Sequence, residues 1–313
     1  MIELRKPRPI RQGDTIAVAA PSSLPVDLSA IDQGVATLIE RGYRVVVARP
    51  TFQRHGYLSA PDDVRADELN GFLRRPDVAA IIAVRGGYGA LRILDTIDYE
   101  AAARDPKLVI GYSDITALQL ALLARTGDPS LSGPMIATEW GAPDQSSEAL
   151  FWDLATGGVP DPLLGPQDEV LEPVRPGRAE GPLVGGNLTM ISKLIGTPFL
   201  PDLGGAILFL EEVGEEPYRI DGLFAHLRLS GAFDRIAGLV LGGFTEWEPE
   251  HDRPVLPLDA VIDHYVAKLN IPVARGLRYG HFPVKNTLPI GIRARLQVSD
   301  GRAELGLLEA VVT

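Results

Sequence analysis

The sequence predicts an α/β fold, with a mainly parallel sheet in its first half and a β-rich α/β domain in its second half. In the first half, short apolar strands alternate with amphipathic helices, which is typical of a parallel sheet covered by helices on both faces. Residues 143–171 lose this alternation and are rich in proline, which indicates a linker or covering loop. We therefore expect an N-terminal domain over 1–142, this linker, and a glycine-punctuated C-terminal domain over 172–313.

The individual elements follow from the spacing of apolar residues and from turn residues. Right-handed crossovers would place the carboxyl ends of the parallel strands on one edge of the sheet, where such sheets form their sites. In the first half, strands are expected at 14–20, 43–48, 78–84 and 107–111, and helices at 29–41, 59–74, from about 90, and at 115–125. In the second half, helices are expected at 187–195, 217–229 and 258–268, and strands at 206–210 and 236–241.

Composition excludes several classes of function. A chain of 313 residues is long enough for two domains with proper cores. A net charge of −11 without any basic run argues against a nucleic-acid partner. The absence of cysteine excludes disulfides, thiolate metal sites and a cysteine nucleophile. We find no signal peptide and no stretch of membrane-spanning length, so no membrane partner is expected.

A serine stands at the corner between a predicted strand and a predicted helix. Ser113 separates residues 107–111 from the apolar helix 115–125. A side chain at such a corner lies beside the free N–H groups of a helix N-terminus, which is a common way to present a serine nucleophile. An ordinary Ser-Asp helix cap explains the same residues and is the commoner case.

A serine nucleophile needs a base, and the chain has five histidines. His281 differs from the others because Gly280 and Pro283 indicate a rigid loop that presents it. A loop histidine bonded only to the backbone is an equal alternative. The other four lie in polar loops, in a charged run or on predicted helices: His55, His226, His251 and His264.

A carboxylate is needed to orient such a histidine. Glu211 and Glu212 end an otherwise apolar predicted strand, and Glu211, as its first polar residue, is the better candidate for the interior. A purely structural acid is the commoner interpretation.

A glycine turn follows the strand predicted at 78–84. Residues 85–89 read RGGYG, which has neither the spacing of a dinucleotide-binding motif nor the lysine of a phosphate loop. Because glycine lacks a Cβ, a peptide N–H there can approach a developing oxyanion closely. A plain tight turn explains the same residues equally well.

Six segments together resemble the LD-carboxypeptidase family of serine peptidases, which includes muramoyl-tetrapeptide carboxypeptidases and microcin C self-immunity proteins. They occur in order through both halves of the chain, which makes the resemblance specific. The segments are AVAAPSS (17–23), RGGYGALRILDTIDY (85–99), KLVIGYSDITAL (107–118), GPLVGGNLTMISKLIGTPF (181–199), AILFLEEVGEEPYRIDGLFAHL (206–227) and GHFPVKNTLPIG (280–291).

The resemblance implies a Ser–His–Glu triad on Ser113, His281 and Glu211, with oxyanion donors at the backbone N–H groups of Gly87 and Asp114. It also implies an N-terminal sheet similar to that of class I glutamine amidotransferases, a β-rich C-terminal domain, and a homodimer. No cofactor is implied. The histidines are scattered without ligand spacing, so we expect no metal.

The implied substrate is a small peptide. The main expectation is release of terminal D-Ala from a murein tetrapeptide in the cytoplasm during wall recycling, and the RGGYG turn and the segment YRIDGLFAHL favour it. Arg85 and Arg219 are candidates for the cation that binds the terminal carboxylate. Asn187, in the segment 181–199, is a further candidate for contact with the substrate.

Two alternatives remain open. The first is a microcin-type peptidase that cleaves aminoacyl or peptidyl nucleotide analogues, which needs an aromatic platform for the base. Trp140 and Trp152 are candidates for that platform, although simple packing is the commoner role. The second is an inactive relative that only binds wall fragments, which would not need Ser113, Glu211 and His281 to meet.

Overall fold

The computed structural model describes residues 3–49, 52–163, 170–247 and 254–313. These residues form two β-sheets with helices packed against them, so the mixed α/β class is confirmed.

The first sheet has six strands in the order β11–β5–β4–β3–β1–β2. All neighbours pair in parallel except β11, which is antiparallel to β5. The three central strands are buried along their whole length, as expected for a parallel sheet covered on both faces. The strands are β1 (Thr15–Ala19), β2 (Arg44–Val47), β3 (Val78–Ala83), β4 (Leu108–Gly111), β5 (Ser130–Ser132) and β11 (Leu288–Ile290).

Helices connect the parallel strands of this sheet, as the alternating pattern predicts. The carboxyl ends of β1, β3 and β4 therefore lie at one edge, and the turns after them are neighbours there. The helices are α1 (Ser29–Glu40), α2 (Asp62–Arg74), α3 (Tyr99–Arg104) and α4 (Ile115–Thr126), with a 3-10 helix at Ala90–Thr96.

The second sheet has seven strands in the order β13–β12–β7–β8–β9–β10–β6. Its centre, from β7 to β10, is parallel, and its outer strands are antiparallel. The strands are β6 (Glu172–Arg175), β7 (Gly177–Asn187), β8 (Ile207–Val213), β9 (Gly238–Thr245), β10 (Val273–Arg275), β12 (Arg293–Ser299) and β13 (Arg302–Leu307). The helices are α6 (Leu188–Leu194), α7 (Pro217–Leu229), α8 (Ala232–Arg235) and α9 (Leu258–Val266).

The segment predicted to be a linker contains a helix, α5 (Gln145–Thr156). Its buried residues Phe151 and Leu154 join the main core, so the proline-rich surroundings hid an amphipathic pattern. Residues 164–169 of the predicted linker lie outside the described residues. The division of the chain at 142 and 172 stays a prediction.

Strand β11 joins the two halves of the chain. It comes from the second half in sequence but pairs with β5 of the first sheet, through Leu288 opposite Ser132 and Ile290 opposite Ser130. The chain segment just before β11 is therefore held against the first sheet.

The described helices are all too short or too polar to cross a membrane.

Asp128 follows helix α4 and is buried, with its Oδ1 atom lacking a hydrogen-bond partner among the described residues. Burial raises the pKa of Asp128 to about 7, against smaller opposite effects of Thr126 and Arg5. An acid with a raised pKa in the folded state keeps its proton when the unfolded chain has lost it. Stability should therefore fall as the pH rises from the ordinary value of 3.8 to about 7.

We expect Asp128→Asn to remove this part of the pH dependence, because the amide has no proton to lose. The slope lost is at most ~1.4 kcal/mol per pH unit for one proton. The measurement is urea unfolding of both proteins between pH 4.5 and 8. If the free energy of unfolding changes with pH in the same way in both proteins, Asp128 does not have the raised pKa.

Candidate active site

Ser113 lies in a tight turn between β4 and α4, at the carboxyl edge of the first sheet. Its φ of 64° is in the left-handed region, which is uncommon for a residue with a side chain and is found at strained functional turns. Gly86 makes room for the turn, since a Cβ on Gly86 would lie 2.9 Å from the Cβ of Ser113. The half-buried hydroxyl is thus presented beside the start of a helix.

Two backbone amides near this turn are available as donors. In the part of the chain that the structure describes, neither the N–H of Gly87 nor that of Asp114 has an acceptor. Gly87 has a φ of 107°, and a Cβ there would lie 2.5 Å from the Oγ of Ser23, so glycine is required. The N–H of Asp114 stands at the start of α4, where amides have no partner within the helix. Free amides of this kind can stabilise an oxyanion.

The Asp114 side chain links the two turns. Its Oδ2 accepts a hydrogen bond from the Ser22 hydroxyl at 2.6 Å and another from the N–H of Ala90 at 2.8 Å. Burial raises the pKa of Asp114, while these two hydrogen bonds lower it. The sequence pointed only to the backbone of Asp114, because the partners of a buried carboxylate are distant along the chain.

His281 and Glu211 form a hydrogen-bonded pair. The Nδ1 of His281 lies 2.8 Å from the Oε2 of Glu211. The Glu211 side chain is fully buried, whereas the His281 side chain is 20% exposed. A carboxylate on Nδ1 orients the imidazole and leaves Nε2 on the opposite side of the ring for another partner.

A bulge in strand β9 accommodates the loop that carries His281. The pairing of β8 with β9 shifts register between Leu210 and Glu212, beside Gly242 and Gly243. The N–H of Gly243 donates to the carbonyl of Tyr279 at 2.8 Å, and a Cβ on Gly243 would lie 2.5 Å from the Phe282 ring. The His281 loop can therefore lie directly on the backbone of β9.

Glu212 and Asn187 serve the structure. The Glu212 carboxylate accepts hydrogen bonds from the Asn187 amide at 2.7 Å and from the N–H of Thr189 at 2.8 Å. The Asn187 oxygen accepts the N–H of Met190 and caps α6. The Asn187 side chain is buried and is used for these structural bonds, so its contact with substrate stays a prediction.

The residue before Ser113 contacts the His281 ring. Tyr112, which precedes Ser113, packs edge-on against the His281 ring, with centroids 5.2 Å apart. Within the described residues, the Ser113 hydroxyl itself makes no hydrogen bond, so any bond between the serine and the imidazole would form only in the working enzyme. Catalytic hydrogen bonds of this kind commonly tighten only when substrate is bound.

Two family models match most of the chain. The family model of the LD-carboxypeptidase N-terminal domain matches residues 16–133, and that of the C-terminal domain matches residues 180–296. The chain belongs to the LD-carboxypeptidase family. The resemblance noted in the sequence is thereby confirmed.

Individual members of the LD-carboxypeptidase family cover almost the whole chain. A probable murein peptide carboxypeptidase of Bacillus subtilis is 34% identical over 315 residues, which is 98% of this chain and 97% of the relative. The microcin C7 self-immunity protein of Escherichia coli is 28% identical over 317 residues, covering 91% of each chain. The crystal structure of a muramoyltetrapeptide carboxypeptidase from Oxalobacter formigenes has a TM-score of 0.83 at 33% identity, covering 94% of this chain and 98% of that one.

A buried ion pair, missed in the sequence, supports the histidine loop of this LD-carboxypeptidase family member. The Nζ of Lys285, four residues after His281, lies 2.8 Å from the Oε1 of Glu139 and 3.7 Å from the centre of the Tyr112 ring. The Tyr112 hydroxyl donates to the same Glu139 oxygen at 2.9 Å. Burial lowers the pKa of Lys285, and Glu139 opposes that effect. The loop of His281 is thus fixed to the residue next to Ser113.

Trp140 and Trp152, the two candidates for an aromatic platform, are used in packing. Trp140 is fully buried, its indole N–H donates to the carbonyl of Pro134 at 3.2 Å, and its ring packs on Phe151. Trp152 stacks on Tyr43 with centroids 4.9 Å apart. The expectation that Trp140 contacts a substrate is therefore wrong, because packing has removed its faces from solvent.

The two candidate arginines differ in whether their charge is already paired. The exposed Arg219 lies 3.5 Å from the Glu215 carboxylate and 3.1 Å from the Tyr218 hydroxyl. The Nε of Arg85 is buried and has no hydrogen-bond partner among the described residues. It would lie 3.9 Å from a Cβ on Gly87, next to one of the free amides. Arg85 is thus the candidate with an uncommitted charge at the site.

The other histidines that the structure describes have partners other than Glu211. His226 bonds through Nδ1 to the Ser192 hydroxyl at 2.7 Å, and His264 contacts a lysine at 2.8 Å. His55 forms an isolated bridge in its loop, and His251 lies outside the described residues. The described residues include no group of three or more His, Asp or Glu that could hold a metal ion.

We expect Lys285→Met to slow the reaction of Ser113 with a fluorophosphonate about tenfold, because the His281 loop loses its support beside Tyr112 and small misplacements of a base are costly. Lys285→Arg should retain most of the rate, since the ion pair with Glu139 can re-form. The measurement is the labelling rate at fixed reagent concentration.

The matched control is Lys107→Met, which removes another buried lysine, paired with Asp105. Its labelling rate should stay near that of wild type. Equal losses in the Lys285 and Lys107 variants would mean that the effect is one of general stability.

Proposed function

We propose that the protein is a serine-type LD-carboxypeptidase that releases the terminal D-Ala of a murein tetrapeptide. The observation that carries the proposal is the buried Glu211–His281 pair beside the strained turn of Ser113. The family and its relatives named as murein peptide carboxypeptidases support the choice of reaction and substrate.

In the first half of the reaction, the Nε2 of His281 accepts the Ser113 proton while Oγ attacks the carbonyl carbon of the L,D-amide bond. The N–H groups of Gly87 and Asp114 donate to the oxyanion, and a donor of this kind contributes about 3–4 kcal/mol. Glu211 keeps the imidazole oriented and stabilises its protonated form.

Collapse of the tetrahedral intermediate expels D-Ala. The protonated His281 gives its proton to the leaving nitrogen, so the amino acid departs as a neutral amine, and an ester on Ser113 remains. A water molecule, deprotonated by His281, then attacks this ester, and the proton returns to the Ser113 oxygen as the peptide acid leaves. The cycle needs no cofactor.

Arg85 binds the carboxylate of the terminal D-Ala in this proposal. A carboxypeptidase must recognise a free chain end, and a guanidinium without an internal partner can form a charge-assisted pair with it. The support is the unpartnered Nε of Arg85 next to Gly87.

The microcin-type alternative is less well supported. It calls for an aromatic platform for a nucleobase, and the two residues expected to form it, Trp140 and Trp152, are used in packing. The murein peptide relative is also more similar than the self-immunity relative, at 34% against 28% identity. Parallel assays with an aminoacyl sulfamoyl adenylate and the tetrapeptide distinguish the two reactions.

Three further properties are part of the proposal. The parallel sheet that displays Ser113 at a strand-to-helix turn is consistent with a likeness to class I glutamine amidotransferases. Recycling of wall fragments implies a cytoplasmic enzyme. A homodimer fits the exposed apolar side chains of Tyr218, Val255 and Leu256, which surround one groove near the start of α7.

We expect Ser113→Ala to lower the rate of D-Ala release at least ~1,000-fold, because the nucleophile is lost while the binding residues stay. The assay incubates L-Ala-γ-D-Glu-meso-diaminopimelate-D-Ala with each protein and measures free D-Ala. Circular dichroism checks that the fold is retained.

Ser192→Ala is the control for this experiment, since Ser192 also bonds to a histidine but lies outside the site. It should release D-Ala at the wild-type rate. Unchanged hydrolysis by Ser113→Ala would refute the proposed nucleophile.

We expect Arg85→Met to raise the KM for the tetrapeptide about tenfold or more, because a charged hydrogen bond to the chain end is lost. The same variant should show little change with a substrate that ends in D-alaninamide, which wild type itself should bind weakly. A similar loss on both substrates would contradict the assignment of the carboxylate to Arg85.

A further inference from the structure

Two exposed tyrosines stand beside the glycine turn of the site. Tyr57 is 65% exposed and Tyr88 is 44% exposed, and their rings meet edge-on with centroids 5.2 Å apart. The Ser23 hydroxyl donates to the carbonyl of Tyr57 at 2.6 Å and accepts the N–H of Tyr88 at 3.1 Å. Since the Ser23 side chain also lies against Gly87, the tyrosine pair is fixed next to a free amide of the site.

A lysine from helix α6, in the second half of the chain, lies near the same tyrosine pair. Lys193 lies in the last turn of α6, and its Nζ is 6.0 Å from the centre of the Tyr88 ring. No carboxylate of the described residues lies within ion-pair distance of this ammonium group. Burial raises the pKa of Asp114, and the charge of Lys193 is among those that lower it, so Lys193 acts electrostatically on the turn of Ser113.

The start of helix α6 is held against the nucleophile helix. The N–H of Asn187 donates to the Oγ1 of Thr116 in the first turn of α4 at 3.2 Å. The capping contacts of Asn187 and Glu212 hold the same end of α6. The position of Lys193 therefore follows from the packing of α6 against α4.

We infer that Tyr57, Tyr88 and Lys193 form a subsite for the acyl side of the substrate, and that Lys193 binds a carboxylate there. The inference rests on the proposed function. Arg85 is already assigned to the terminal carboxylate, so a second unpaired cation at the site calls for a second carboxylate in the substrate. The exposed tyrosine rings offer apolar surface for the aliphatic part of the same residue.

The murein tetrapeptide offers two carboxylates on the acyl side. One belongs to the α-position of D-glutamate and the other to the far end of diaminopimelate. The experiment therefore uses four substrates: the tetrapeptide with both acids free, with the glutamate amidated, with the diaminopimelate amidated, and with both amidated. KM and kcat for D-Ala release are measured on wild type, Lys193→Met, Lys193→Arg and the control Lys268→Met, which removes a surface lysine after α9.

On wild type, amidation of the carboxylate that Lys193 binds should raise KM about fivefold. This is the effect of a partly exposed ion pair at the upper end of the range measured for such pairs. Lys193→Met should lose this preference through KM, with kcat nearly unchanged. Lys193→Arg should keep it, and so should Lys268→Met. Of the two singly amidated substrates, the one with the raised KM on wild type identifies which carboxylate Lys193 binds.

Tyr57→Ala tests the apolar part of the subsite separately. It should raise KM for all four substrates by a similar factor of about threefold to tenfold, because a ring contact is lost whatever the charge of the substrate.

Two outcomes would overturn these assignments at different levels. If wild type releases D-Ala from all four substrates with equal KM, or if Lys193→Met keeps the wild-type preference, the subsite is refuted while the proposed function stands. If wild type releases D-Ala from none of them, the proposed function itself fails.

Discussion

The hydrogen bond between Glu211 and His281 is the interaction on which the site depends. It joins a fully buried carboxylate on a central strand of the second sheet to a partly exposed ring in a loop. A buried carboxylate needs strong partners, and within the described residues the other oxygen, Oε1, has none. The imidazole therefore compensates the buried Glu211 carboxylate, and in the proposed reaction the same contact orients the base.

Several features bring that loop to the serine. The bulge at Gly242 and Gly243 lets the loop lie on β9, and strand β11 then carries the chain onto the edge of the first sheet. Between these points, the ion pair of Lys285 with Glu139 fixes the loop to Tyr112. The proposed base lies in the loop between β10 and β11 and the proposed nucleophile follows β4, so their relative position depends on buried polar contacts that must all form together.

The carboxyl edge of the first sheet could be predicted from local patterns. Alternating strands and helices placed the turns after β1, β3 and β4 side by side, and the structure has them there. The helix α5 was missed because prolines around it obscured a short amphipathic pattern. Both glutamates lie near the end of β8, which runs from Ile207 to Val213, as the apolar pattern before them predicts.

The roles of several side chains could not be predicted from residue type alone. Asn187 and Trp140 have residue types that suit recognition, but their surroundings use them for capping and packing. Their fate depends on partners far away along the chain, such as Glu212 for Asn187, which no local pattern indicates. Arg85 is preferred as the proposed carboxylate ligand because its buried Nε has no hydrogen-bond partner among the described residues. That too is a property of the folded chain.

The sequence by itself determined the α/β class, the family and the identity of the serine turn, because apolar periodicity, glycine turns and strand-to-helix corners are local features of the chain. Only the tertiary structure decided that Glu211 faces His281 while Glu212 binds the start of a helix, that Asp114 links two turns, and that Lys285 supports the His281 loop. These contacts join residues that are many positions apart, so their geometry is set by how the two sheets pack and by the need of each buried charge for a partner.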